Sequence, residues 1–176
     1  MIRELSLDGF PNRKVYYSIL RRHEENVDYS LANNDSSVSF VAIDAEMVYG
    51  INHLLVACMK VINREESGKK FISGDMNREI IYSLSPTKNL KEALNLFSAK
   101  ADCSFVLLVS LDSGDAIKSF IEENHLHEEE RDDVLSKVKP EAKKNSIIEH
   151  FGITENELSF YSLPDLVQMG VAMKNV

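Results

Sequence analysis

Apolar residues recur along this chain with two periods, and the places where the period changes mark out its elements. Leu5 and Leu7 alternate with Ser6, and residues 15–20 are rich in β-formers, so 2–7 and 15–20 are expected as strands of a hairpin. Asp8-Gly9-Phe10-Pro11-Asn12 joins them, its glycine and proline supplying the turn. Residues 24–32 have the length and position of a short helix ended by Asn33-Asn34-Asp35, and 38–43 form a β-branched strand. From Ala45 to about Glu65 the period changes. Val48, Ile51, Leu55, Cys58 and Ile62 follow one another at steps of three and four, with Leu54 and Val61 widening the stripe, which predicts one long core helix.

Gly68 ends that helix, and Asp75 can cap the next element, where Met76, Ile80 and Leu84 are spaced as on a helix face. Ile80, Tyr82 and Leu84 would alternate equally well as a strand; helix is the reading adopted. Asn89 with Glu92 makes an N-cap and third-position carboxylate before Ala93, Leu94 and Phe97. Residues 104–111 are the most continuous apolar run, bounded by Asp102 and by Asp112-Ser113-Gly114, as suits a central strand. The remainder reads as helices over 115–123, 128–138 and 141–151, a short turn from Thr154, and a final helix from Leu163. No repeat, low-complexity tract or long linker divides the chain. The expected fold is α/β (α+β): one domain over 1–176, a small mixed or antiparallel sheet covered by helices, and the C-terminal helix at the surface.

Bulk properties narrow the function. With 176 residues, 44% of them hydrophobic, the chain can bury about two-thirds of its unfolded surface without disulfides or a structural metal. Cys58 and Cys103 lie in or beside apolar segments and read as reduced, packed thiols. No apolar run approaches the ~18 residues of a membrane span, and the first residues lack the pattern of a signal peptide, so a soluble, cytoplasmic protein is expected. A net charge of −8 argues against a surface that binds nucleic acid all over. The charge is uneven, however: Lys60, Arg64, Lys69, Lys70, Arg78, Lys88 and Lys91 outnumber the acids between them, whereas 122–133 is strongly acidic.

Catalytic signals are weak. His125 and His127, two apart, would point about 200° from each other on a helix and could not share one ion. Their neighbours Glu128, Glu129 and Glu130 fit a solvated acidic face. Asp75 and Glu79 are four apart and could share a helix face for acid–base work, but nearby Arg78 and Lys88 make capping and charge pairing the favoured explanation. The glycines are isolated and form no phosphate-cradling loop. Two surfaces remain. On a wheel, Leu163, Leu166, Val167, Met169, Val171, Met173 and Val176 span an arc of roughly 220°, about twice what packing against one core requires. A helix buried on all sides, or one flank docked on the domain and a methionine-rich flank meeting a partner, would each explain it. Lys60, Arg64, Lys69, Lys70 and Arg78 bracket a helix end and a glycine-containing loop, from which flexible cations could reach phosphates. Only Phe71 and Tyr82 lie nearby as stacking platforms for single-stranded RNA.

A resemblance gives these surfaces a context. The segment 78–97, REIIYSLSPTKNLKEALNLF, sets Glu79, Ile80-Ile81, Leu84-Ser85-Pro86, Asn89-Leu90 and Glu92-Ala93-Leu94 in order across a Ser-Pro-Thr turn. Val41-Ala42-Ile43-Asp44 precedes it. Phe151-Gly152-Ile153-Thr154, Glu157-Leu158, Leu166-Val167 and Val171-Ala172 follow. Together these resemble the TPRKB-like, PRPK-binding small regulatory subunit of the KEOPS (EKC) complex, in its archaeal-type form. The resemblance implies a non-catalytic subunit without cofactor or small-molecule substrate. It would dock on the kinase-like ATPase of KEOPS and help recruit tRNA, by its 3′ end, for threonylcarbamoyladenosine modification. Two positions depart from the pattern: Ser98 stands where a glycine is usual, and Met169-Gly170 replace an acidic–basic pair. A small enzyme or metabolite-sensing domain with a pocket near Asp75 and Glu79 is the alternative.

Overall fold

The computed structural model describes residues 1–22, 27, 29, 33, 38–130, 132–137 and 139–174. Apart from Val27 and Tyr29, the helix expected over 24–32 falls outside the described residues. Four antiparallel strands form one sheet: β1 (Arg3–Leu7), β2 (Phe10–Arg21), β3 (Val41–Asp44) and β4 (Phe105–Ser110), in the order β1-β2-β4-β3. As its unbroken apolar run predicts, β4 is flanked on both sides, by β2 and β3. Val15, Tyr17, Ile19, Val41, Ile43, Leu107 and Val109 enter the larger core on one face, and Leu20, Ala42, Val106 and Leu108 enter a smaller one on the other. The period-two alternation of the strands thus serves two apolar layers.

The hairpin turn is tighter than expected. Leu7 pairs with Phe10, leaving Asp8-Gly9 alone in the turn with Gly9 at φ 84°, which glycine adopts without strain. Pro11 therefore lies inside β2, in the stretch beyond the β2–β4 pairing, where its missing N–H breaks no central ladder. The free edge of β3 is covered rather than bare: the Asn33 side chain exchanges hydrogen bonds with the Ala42 backbone at 2.8 and 2.9 Å, and Ala99 N–H donates to the Ala42 carbonyl at 3.0 Å. Ser98 has ordinary backbone angles, φ −64° and ψ 142°, so no glycine is needed there.

Seven α-helices are described: α1 (Ile51–Glu66), α2 (Met76–Leu84), α3 (Leu90–Phe97), α4 (Asp115–Glu123), α5 (Glu141–Phe151), α6 (Glu155–Phe160) and α7 (Leu163–Met173). The long helix expected from Ala45 is broken. Asp44 caps a single 3-10 turn over Ala45–Met47, and Gly50, at φ 85° and ψ 165°, lets the chain turn before α1 begins. The ambiguous segment 76–84 is helical. Asp75 caps it by accepting from Arg78 N–H at 2.9 Å, and both of its apolar registers are used because Glu79 to Leu84 are all buried. The Thr154 turn extends into α6 through a reciprocal Thr154–Glu157 capping box.

The helix expected over 128–138 is largely absent among the described residues, where Asp132–Leu135 makes a 3-10 turn and 128–130 are not helical. Residues 127–129 run alongside β2 beyond the end of β1, with Arg21 N–H donating to His127 O at 3.2 Å and Glu129 N–H to Ile19 O at 2.7 Å. The extended path brings the Glu128 carboxylate to the Met1 ammonium and to Ser18 Oγ at 2.6 Å, contacts that lower its pKa against the opposing pull of burial. Arg3 meanwhile donates to the Glu129 and Glu130 carbonyls. His125 takes a left-handed φ of 51° at this turn.

Candidate functional site

The final helix has two unlike sides. Ser162 caps α7, accepting from Asp165 N–H at 3.4 Å, with Pro164 in the first turn. Leu166, Val167 and Val171 point into the domain, and Gly170 lies so close to Phe151 that a Cβ there would sit 2.8 Å from its Cδ1. Burial withdraws Leu166, Val167 and Val171 from any surface a partner could reach, a correction to the expectation that they face one. Leu163 is half-buried. Met169 and Met173, one turn apart on the outer side, are 46% and 73% exposed. Phe160 and Tyr161, just ahead of the helix, are also exposed. The wide apolar arc therefore divides into an inner row that holds the fold and an outer row left to solvent.

The C-terminal end of α7 is pinned to α1 and α2. The Lys174 ammonium donates to Tyr82 O at 2.6 Å and sits 3.2 Å from the centre of the Tyr82 ring, while Lys60 Nζ donates to Lys174 O at 2.5 Å. These contacts close one side of a cleft of about 220 Å³ lined by Lys60, Asn63, Arg64, Lys69, Glu79, Ser83 and Lys174. Of the cations singled out in the sequence, Lys60, Arg64 and Lys69 meet here. Arg78 turns instead onto Asp75 at 3.0 Å and onto Ser73 O at 2.8 Å, and Lys70 does not line the cleft. Sequence reasoning missed Lys174; a cation just past the last turn of an apolar helix was the available signal.

Buried charge governs this cleft. Glu79, 1% exposed, accepts from Ser73 N–H at 2.8 Å and Ser73 Oγ at 2.7 Å, and its other oxygen lies 3.5 Å from Arg64 Nε. Lys60, Arg64 and Lys69, with a Lys174 that is only partly protonated near neutral pH, outweigh one carboxylate and leave the cleft positive in a chain of negative net charge. Burial pulls Lys60 below the usual lysine range and brings Lys174 down to about 7, with the Lys60 charge adding to the effect and Glu79 opposing it. Tyr82 is buried beneath Lys174 and offers no stacking platform; Phe71 is half-buried.

Several titratable groups outside the cleft have structural partners. Asp75 caps α2 and does not line the cleft that holds Glu79, and no histidine lines it either. His53 Nδ1 accepts from Tyr49 N–H at 3.1 Å, so Nε2 carries the proton donated to Leu84 O at 2.9 Å; burial keeps the ring neutral, lowering it to about 4. His150 pairs with Ser85 Oγ at 2.7 Å. Burial raises both thiols, Cys103 to about 12 and Cys58 further. Among the described residues no three His, Cys, Asp or Glu side chains group as metal ligands, and no helix is long and apolar enough to cross a membrane.

Residues 22–175 match the family described as kinase binding protein CGI-121. The chain belongs to the CGI-121 family. It is also similar to the EKC/KEOPS complex subunit cgi121 of Aspergillus fumigatus, 24% identical over 113 residues, which is 62% of this chain and 59% of that protein. The chain thus matches under two-thirds of the relative's length. The CGI-121 match takes in all of α1 to α7, and with them both rows of α7 and the basic cleft.

Proposed function

We propose that this CGI-121 protein is a non-catalytic, cytoplasmic subunit of a KEOPS-type complex, which binds and regulates the kinase-like ATPase subunit and helps bring tRNA to the modifying centre. The observation that carries the reading is the outer row of α7. Met169 and Met173 are exposed on a helix whose inner row is already committed to the core, and methionine suits a surface that adapts to a partner. The family name and the KEOPS subunit among its relatives support a kinase-like occupant. Regulation then follows from differential contact: a subunit that binds one conformation of the ATPase better shifts its population toward it.

The tRNA role rests on the cleft of Lys60, Arg64, Lys69 and Lys174, which concentrates positive charge where a 3′ end could enter. Buried Tyr82 leaves this a contact of phosphates with cations rather than of bases with rings. The deciding experiment is co-purification with the kinase-like subunit. Paired substitution of Met169→Glu and Met173→Glu is expected to abolish it while the thermal midpoint of the isolated chain stays within about 2 °C. Undiminished co-purification of the folded double variant refutes the interface. In the same preparations, Lys69→Glu is expected to weaken tRNA binding and flatten its salt dependence by about one charge. Unchanged affinity and slope remove the cleft from the tRNA proposal.

A further inference from the structure

A second, larger cavity shares no residue with the surfaces proposed above. It holds about 480 Å³ between the start of α1, the turn at 132–137 and the first turns of α7. Ile51, Leu135, Leu163 and Pro164 give it an apolar wall, Lys137, Lys139 and Lys144 supply three cations, and among the described side chains no carboxylate lines it. That volume lies in the range of sites that take small molecules, which bury an apolar body and fix a few polar atoms.

The three lysines are not equivalent. Lys137 and Lys144 stand at the rim in loose pairs with Asp133 at 3.6 Å and Glu141 at 3.9 Å, which solvent screens. Lys139 is buried. Its ammonium donates to the carbonyl oxygens of Ala45 and Val134, both at 3.2 Å, and among the described side chains, which leave out that of Asp132, no carboxylate lies within ion-pairing distance of it. Glu46 and Asp44 act on it only from farther away, and burial lowers it to about 8. Neutral acceptors satisfy its N–H groups without balancing the charge, an expensive arrangement unless an anion completes it.

Two neighbours carry the same deficit. Tyr49 lines the cavity with its ring centre 5.7 Å from the Lys139 ammonium, and its hydroxyl, on a side chain 6% exposed, is enclosed without a hydrogen-bond partner. Gly50, also in the lining, caps the 16-residue α1 without a side-chain acceptor, so the positive end of that helix meets the cavity at Ile51 and Asn52 uncompensated. The N-terminus of α7 differs, because Ser162 already caps it.

We infer that this cavity binds a small organic anion: a carboxylate, sulfonate or phosphate monoester on a flat apolar body. The charged head lies between Lys139 and the start of α1, and the body lies against Ile51, Leu135, Leu163 and Pro164. A bare inorganic anion would leave the apolar wall uncovered, and a neutral aromatic would leave Lys139 unbalanced.

The test titrates 2-naphthoate into the isolated full chain and follows backbone amide shifts, with 2-naphthalenemethanol and inorganic phosphate as separate arms. Expected are saturable shifts centred on Tyr49, Gly50, Ile51 and Asn52, with each control binding at least roughly tenfold more weakly. Lys139→Met is expected to weaken naphthoate binding about tenfold. Gln168→Trp, at a half-buried position of the lining, is expected to block binding and serves if Lys139→Met fails to fold. Shifts scattered over the surface, no saturable binding, either control binding as tightly as naphthoate, or binding unaffected by the folded variants each overturn the assignment. Neither the kinase-like partner nor RNA is present, so the outcome is independent of the function proposed above.

Discussion

Lys174 provides a titration through which the fold can be tested. It is 6% exposed, hydrogen-bonded to a neutral carbonyl, and lowered to about 7, whereas a lysine in the unfolded chain titrates near 10.4. Between those values the unfolded chain binds more protons than the folded one, so stability must rise with pH. Lys139, lowered to about 8, acts in the same direction. From about pH 7 to about pH 8.5 the two together contribute on the order of 2 kcal/mol, the larger share from Lys174. For a chain of this size that is a rise of roughly 4–8 °C in the thermal midpoint. The window closes near pH 9, because burial raises the Cys58 and Cys103 thiols: above it the folded chain keeps protons that the unfolded chain releases, and the slope reverses. Thermal unfolding at fixed ionic strength across this window is the assay, with Lys174→Met expected to lose more than half of the rise. A midpoint that is flat or falling in the wild-type chain, or a variant that keeps the full slope, refutes the assignment of a buried, unbalanced ammonium at the end of α7.

Gly170→Ala is expected to lower the thermal midpoint although Gly→Ala in a helix ordinarily gains up to about 1 kcal/mol, because the new methyl would stand 2.8 Å from a Phe151 ring already edge-on to His53 and His150. A raised midpoint in calorimetry contradicts the close approach of α7 to the end of α5. Leu166→Ala should cost about 2–5 kcal/mol in denaturant unfolding, against no more than about 0.5 kcal/mol for Met173→Ala, since one side chain fills the core and the other meets water. Similar costs at the two positions would dissolve the division of α7 into two rows.

Much of the sheet was legible because its strands obey the simplest rule, alternation or an unbroken apolar run, and β4 was placed centrally on that ground alone. The helix caps at Asp75 and Asn89 were equally legible, since each requires a particular side chain at a fixed offset, whereas the Thr154 cap and the helix behind it exceed the short turn expected there. Two failures share a cause. The apolar period carried the predicted core helix straight through Gly50, and the acidic run 128–130 was read as the face of a helix, because periodicity weighs neither a single residue's backbone freedom nor a charge that finds its partner far away in sequence. Glu128 meets Met1 and Ser18 only in three dimensions. The two rows of α7 were hidden for the same reason: a wheel shows how wide the apolar arc is, while the width of the groove that receives it depends on α1 and α5.

The proposed partner surface and the basic cleft are joined by a covalent and a hydrogen-bonded link at one residue. Met173 is the outermost side chain of α7, and the next residue, Lys174, lines the cleft, donates to Tyr82 O on α2 and accepts at its carbonyl from Lys60 on α1. A partner that shifts α7 along its axis therefore moves a cleft cation and loads both hydrogen bonds, whereas a partner that covers Met169 and Met173 without moving the helix leaves the cleft as it was. The inner row favours the second case, because Leu166, Val167 and Val171 are buried and Gly170 is wedged against Phe151, so sliding by even a fraction of a turn would open a void on one side and a clash on the other. Linkage between the two sites is reciprocal by thermodynamic necessity. Its size is limited by what α7 can do without leaving its groove.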